Sequence, residues 1–193
     1  MILAPAFYRS AFAAMWLVWL VYWLLSARGA KRTARSESRL SRLSHVGPLV
    51  LVGVLLSSPI GVVSVLDERF LPHVEWIYGV AAAVTAAGLL FTVWARSWLG
   101  ANWSATVTVK QGHDLITGGP YALVRHPIYT GALLAIAGSA LAVGEWRAVA
   151  GLTIAVLAFW RKLVLEERWM LQEFGPAYEE YRRRVPALVP RVF

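Results

Sequence analysis

Residues 76–95 read WIYGVAAAVTAAGLLFTVWA and contain no Asp, Glu, Lys or Arg. A spanning helix needs roughly 20 apolar residues, because the hydrocarbon core is ~30 Å thick and a helix rises ~1.5 Å per residue. Residues 10–27 and 46–66 meet the same requirement and are equally free of those four residue types. The first of these is rich in Trp and lacks a small-residue cleavage site before the basic loop, so it is expected to be a retained span rather than a signal peptide. Further along, residues 128–144 and 148–160 are apolar and are separated by Glu145, Trp146 and Arg147, which predicts a helical hairpin with arms short for full spans. The expected fold is therefore an all-α integral membrane protein of about five transmembrane helices, a single domain over residues 1–193. Residues 1–97 would supply the N-terminal spans and residues 98–193 the cofactor-binding region.

Composition agrees with this class. Of 193 residues, 58% are hydrophobic and 16% charged, too apolar for an ordinary soluble domain, and the charges gather in short stretches between the apolar runs. There is no cysteine, which excludes disulfides, thiolate metal sites and cysteine nucleophiles. The net charge of +8 flanks apolar spans instead of lining a soluble face, so it points to anionic lipid and not to nucleic acid. Placing the loop 28–45 in the cytoplasm puts residues 96–127 and the tail after Trp160 on that same side. Sixteen Lys and Arg then lie inside and three outside (Arg9, Arg69, Arg147), as the positive-inside rule requires. Both polar, motif-like segments would meet at the cytoplasmic face of an inner or plasma membrane, open to a soluble cofactor and laterally to lipid.

Residues 110–131 read KQGHDLITGGPYALVRHPIYTG. Gly118, Gly119 and Pro120 mark a turn before a short helix, and Pro127 suits the first position of the hairpin's first arm, with His126 near its N-cap. Backbone N–H groups at such a helix start can hold a carboxylate. The plain interpretation of Arg125, His126 and Tyr129 is an interfacial anchor, since Arg snorkels and Tyr belongs to the aromatic belt. Beyond the second arm stand Arg161, Lys162, Glu166 and Glu167. On a continuing helix Lys162 and Glu166 lie one turn apart, and by itself this is a solvated ion pair. The tail LQEFGPAYEEYRRRVPALVP breaks at Gly175 and Pro176 and is expected to restart as an amphipathic helix with Tyr178 and Tyr181, lying along the membrane surface.

Taken jointly, the order GPYxxVRHPxYxG, an apolar hairpin, EE, and FGxxYxxYxxxVP resembles the C-terminal region of the isoprenylcysteine carboxyl methyltransferases and the wider membrane phospholipid-methyltransferase superfamily, over residues 98–193. The Asn102-Trp103-Ser104 triplet agrees with it. The resemblance implies S-adenosyl-L-methionine as cofactor, with His113, Leu115, Ile116 and Tyr121 in its pocket, His126 and Tyr129 in contact with it around Pro127, and Glu166 binding it from the helix after the hairpin. Carboxylates and aromatic faces suit the cationic parts of that cofactor, Arg or His its carboxylate, and Leu115 and Ile116 its adenine. An arginine implicated in substrate contact in the family is matched here by Lys162. Lysine keeps the charge without the bidentate fork that fits a carboxylate, so the methyl acceptor is left open.

Methyl transfer from a sulfonium is an in-line displacement that needs alignment and exclusion of water, with no metal and no covalent enzyme intermediate. A carboxylate acceptor needs no base; an amine does, and His126, Glu166 and Glu167 are candidates, with Lys162 and Arg125 as charged partners. The expected substrate is a lipophilic small molecule reached from the bilayer. Two rival functions stand beside this one: a sterol-type reductase using NADPH, and a noncatalytic membrane scaffold or transporter.

Overall fold

The computed structural model describes residues 4–27, 33–36, 38–57, 64–100, 103, 108–110 and 115–190. These form helices α1 (Ala4–Ser26), α2 (Arg39–Ser57), α3 (Glu75–Leu99), α4 (Pro127–Val143), α5 (Trp146–Phe174) and α6 (Pro176–Arg184). Two 3-10 turns, Ser64–Asp67 and Gly119–Ala122, join them, and a small antiparallel ribbon pairs β1 (Thr33–Ser36) with β2 (Thr108–Lys110). The expected all-α membrane architecture is present. Four helices, α1, α2, α3 and α5, are long and apolar enough to cross a membrane, whereas α4 is apolar but has 17 residues.

Three boundaries differ from the sequence expectation. The second span was expected over residues 46–66, but α2 starts at Arg39 and ends at Ser57. The start is set by Ser38, whose hydroxyl accepts from the Ser41 amide at 3.2 Å, an N-cap that hydropathy does not register. Val65 and Leu66, expected at the end of that span, belong instead to the first 3-10 turn. The hairpin's second arm does not stop at Trp160: α5 has 29 residues, about 43 Å at ~1.5 Å per residue, and carries Arg161 to Glu167 onward as uninterrupted helix. Its partner α4 stays short, about 25 Å by the same rise, and its last carbonyls are satisfied by protein. Gly144 closes it in the left-handed conformation, and the Arg69 guanidinium donates to the carbonyls of Ala142 and Val143.

The tightest packing joins α3 to α4. A Cβ at Gly88 would sit 2.5 Å from the Ala135 nitrogen, one at Gly131 would sit 2.6 Å from the Gly88 carbonyl, and one at Gly138 would sit 2.6 Å from the Thr85 nitrogen. These are backbone-to-backbone approaches that only glycine permits, the small-residue packing characteristic of helices in lipid. Thr85 adds a hydrogen bond to the Ala135 carbonyl at 3.3 Å. Across α4, a core of Val52, Tyr129, Ile136, Ala155, Phe159 and Leu163 ties α2, α4 and α5 together.

Helix α1 is attached along one edge by polar rungs. Trp16 donates to Ser139 at 3.0 Å, Trp19 to Thr92 at 2.6 Å, and Tyr22 shares a 2.9 Å bond with Ser97, at the three-residue spacing of one helix face. Its other face, including Phe7, Val18, Leu24 and Leu25, is exposed apolar surface that only lipid satisfies. At one end of this helix the buried Arg96 donates to the carbonyls of Ser26 and Gly100, and its guanidinium lies 4.3 Å over Trp103.

Gly88→Ala and Gly131→Ala are each expected to destabilise the protein by ~1–3 kcal/mol, the cost of overpacking a tight contact. Gly47→Ala and Gly79→Ala, where a Cβ meets nothing within 4 Å, should be neutral or stabilising by up to ~1 kcal/mol. Thermal unfolding in detergent separates the two pairs.

Candidate functional site

The site forms where the start of α4 meets the extended end of α5. The approach runs through Leu115 and Ile116, both half-buried, into the 3-10 turn. Gly119 has φ +58, and a Cβ there would strike the Trp98 ring at 2.5 Å, so Trp98 packs onto a turn that only glycine can make. The turn buries Pro120 and Tyr121. The chain then bends through Arg125 and His126, and Pro127 opens α4 with His126 as N-cap.

Behind this strip lies the tail. Tyr178 and Tyr181 of α6 are 2% and 4% exposed, so one face of that helix packs against the site while Glu179, Glu180 and Arg182 to Arg184 stay exposed. The Tyr181 hydroxyl donates to the Tyr121 carbonyl at 2.6 Å; burial is the first cause that pushes its pKa up, to about 12, so it remains a donor. After α6, the Arg125 amide donates to the Pro186 carbonyl at 2.8 Å and the His126 amide to Ala187 at 3.0 Å. Thr130 continues the seam with a 2.7 Å bond to the Leu188 carbonyl. The helix start consequently offers fewer amides to an anion than expected: Pro127 has none, and those of Tyr129 and Thr130 bond the His126 carbonyl.

Six of the candidate residues come together. Glu166 and Glu167, adjacent on α5, take different partners. Glu166 accepts from the Tyr129 hydroxyl at 2.5 Å, with Lys162 Nζ at 4.0 Å and His126 Nδ1 at 3.6 Å. Glu167 receives Arg125 through Nε at 2.8 Å and Nη2 at 2.5 Å, with His126 Nε2 at 3.3 Å. The His126 and Tyr129 rings stack at 5.4 Å, Tyr129 stacks on Phe159 at 5.0 Å, and Lys162 Nζ lies 5.2 Å from the Tyr129 ring centre. Burial by itself would lower the pKa of His126, but hydrogen bonds and charge from Glu166 and Glu167 outweigh it and hold the imidazole above its ordinary value. Buried charge is thus balanced locally, with the cations Arg125 and Lys162 against two carboxylates.

Tyr121 stands beside this cluster and Pro127 lies under it, both buried, while Leu115 and Ile116 remain on the approach. His113 lies outside the described residues, as do Asn102 and Ser104. Sequence reasoning missed the tail seam at 185–188, where the signal was weak: two prolines among apolar residues mark an extended strand but not its partner.

The arrangement offers carboxylate and aromatic surface for a cationic ligand, a lysine at its edge, and lateral exposure to lipid beside α5. Residues 76–177 match the family described as phospholipid methyltransferase. The chain is 28% identical over 156 residues to the cobalt-zinc-cadmium resistance protein CzcN of Cupriavidus metallidurans, covering 70% of this chain and 72% of that protein. It is 45% identical over 86 residues to methanethiol S-methyltransferase 2 of Bradyrhizobium diazoefficiens, covering 45% of this chain and 32% of that protein. Among solved structures, the eukaryotic intramembrane Ras methyltransferase, isoprenylcysteine carboxyl methyltransferase, superposes with a TM-score of 0.58 at 20% identity. That match covers 82% of this chain and 55% of the other, and it shows a common fold. These findings favour a membrane methyltransferase over the nicotinamide reductase and the noncatalytic scaffold. With more than half of its length matched, including the RHP segment and the Glu166–Glu167 pair, the chain belongs to the phospholipid methyltransferase family.

Proposed function

We propose that the protein transfers a methyl group from S-adenosyl-L-methionine to a lipophilic small molecule that enters from the bilayer. The observation that carries this is Glu166: a carboxylate on α5 beside the start of the short helix α4, held by Tyr129, His126 and Lys162 yet 24% exposed. The donor set fits the cofactor. Glu166 and the Tyr129 face would hold its cationic end, His126 its carboxylate, and Tyr121, Leu115, Ile116 and His113 its adenosine, with Pro127 fixing where α4 begins. When bound, S-adenosyl-L-methionine supplies an electrophilic methyl group. The chain's own residues orient it and exclude water, since in-line displacement asks little else of a protein.

Lys162 stands at the acceptor side in this proposal. Its ammonium can attract an anionic acceptor without a fork's preference for carboxylate. Because the two carboxylates favour the charged form of His126, that ring serves better as a ligand than as a proton acceptor. The sixteen-to-three distribution of basic residues supports an inner or plasma membrane location with this site facing the cytoplasm. The two ends of the α4–α5 hairpin agree with it: Arg125, Lys162 and Arg182 to Arg184 are at the site end, Arg69 and Arg147 at the other.

Calorimetry on detergent-purified protein is expected to detect S-adenosyl-L-methionine binding, and absence of binding by the wild type would sink the proposal. Glu166→Gln should weaken it about 10- to 100-fold, the loss of one charged hydrogen-bonded contact of ~1.5–3 kcal/mol. Leu157→Ala, on the exposed apolar face, should leave it unchanged. Radiolabelled methyl transfer into lipid extracts and into small thiols then identifies the acceptor.

A second expectation concerns pH. The folded pKa of His126 is raised above its unfolded value near ~6.5. Its stabilising contribution is therefore complete below that unfolded value and is lost as pH rises through the folded pKa. The difference in Tm between wild type and His126→Gln should be largest in mildly acidic buffer and shrink with increasing pH. A difference that grows with pH would contradict the electrostatic assignment.

A further inference from the structure

Glu166 and Glu167 are neighbours in sequence with unlike surroundings, and the difference assigns them separate tasks. Glu167 is held by protein through one oxygen. Its Oε1 alone receives Arg125 Nε, Arg125 Nη2 and His126 Nε2, and its side chain is 14% exposed. Arg125 is equally committed, since its remaining nitrogen, Nη1, donates to the Arg182 carbonyl at 3.1 Å and to the Val185 carbonyl. All three guanidinium nitrogens are therefore engaged, and no fork remains for a ligand carboxylate. Glu166 is the opposite case: one strong bond from Tyr129 to Oε1, longer approaches from His126 and Lys162, and greater exposure.

We propose that Arg125 and Glu167 are a positioning pair, which fixes the His126 imidazole from behind and locks the C-terminal segment onto the site, leaving Glu166 as the carboxylate that meets ligand. The assignment of ligand to Glu166 rests on the methyltransferase reading; the positioning role does not. The guanidinium is the joint of the assembly. On one side it orients Glu167, and so the ring nitrogen of His126. On the other it holds two carbonyls of the tail, whose next residues pair with the amides of Arg125 and His126 themselves. Loosening the tail thus frees the backbone of His126 and the partner of its side chain together.

The charged and titratable groups around His126 are Glu166, Glu167 and Lys162 from α5, Tyr129 from α4, Arg125 before it, and the two tyrosines of α6, which face Arg125 and Glu167. Removing the charge of Glu167 while keeping its shape leaves Glu166 to hold the ring alone. The imidazole then has one carboxylate partner instead of two, and its proton is held less tightly.

The test uses the full-length protein in detergent. Histidine ring resonances are followed through a pH titration without cofactor, with His126 assigned by its loss in His126→Gln. Glu167→Gln is expected to move the His126 titration to lower pH while S-adenosyl-L-methionine binding stays within several-fold of wild type. Glu166→Gln, in contrast, should lose binding tenfold or more. An unmoved titration combined with loss of binding as large as that of Glu166→Gln would make Glu167 a ligand contact and overturn the proposal. For the tail, Arg125→Lys and Tyr181→Phe are compared with wild type by limited trypsin cleavage at Arg182 to Arg184. Both should be cut faster, the lysine variant more so; cleavage at the wild-type rate in both would refute the lock. Titration and cleavage need no cofactor, so their outcome is separate from a failure of the wild type to bind S-adenosyl-L-methionine.

Discussion

Two adjacent carboxylates, Glu166 and Glu167, stand on a helix that has just left an apolar core, and their neutralisation organises everything around them. Consecutive helical residues point about 100° apart, so the two draw on partners from different sides. Arg125 comes to one, Lys162 and Tyr129 to the other, and His126 bridges between them. Unpaired, either carboxylate at this depth would cost several kcal/mol or take up a proton. The chain meets that demand from three different segments: the strip before α4, the first turn of α4 and the preceding turn of α5. The site is thus the consequence of an electrostatic constraint that only the assembled fold can satisfy.

The glycine seam makes the assembly accurate enough for this. With Gly88, Gly131 and Gly138 in backbone contact with the opposing helix, α4 has little freedom to slide or rotate on α3. The start of α4 therefore lies at a fixed height, and Tyr129, one turn into it, can meet Glu166 at 2.5 Å. A helix of 17 residues would be free to tilt in lipid if it stood alone. Here its N-terminus is tied to the tail, its C-terminus to Arg69, and its length to α3.

Membrane residence was readable from residues 76–95 and their like because hydropathy is a local property. The pairing of Lys162 with Glu166 was readable too, since helical spacing fixes it. Residue types carried the resemblance of RHP and EE, and so the family. What stayed hidden depends on partners distant in sequence. Arg125 reads as an interfacial anchor until Glu167, Arg182 and Val185 are seen to hold it. Gly131 and Gly138 read as ordinary components of an apolar run, because close approach requires knowing that Gly88 and Thr85 lie opposite. The end of α5 was misjudged for a related reason. Charge ends a hydrophobic segment without ending a helix, and Arg161 to Glu167 contain strong helix formers.

The tail shows why a site at the membrane edge needs more than helices. Spanning helices satisfy their own backbones, but in the strip that leads from Tyr121 to Pro127 the amides of Arg125 and His126 find no local partner and lie beside an apolar core. Irregular backbone in such a place must be paired. Pro186, Ala187 and Leu188 supply the carbonyls, and the amides of Arg125 and His126 and the hydroxyl of Thr130 take them up. The same bonds that satisfy the strip also fix the backbone from which His126 reaches both carboxylates. Stability and ligand geometry are therefore not separable here: a change that spares every side chain in the cluster but releases the tail would still move the imidazole.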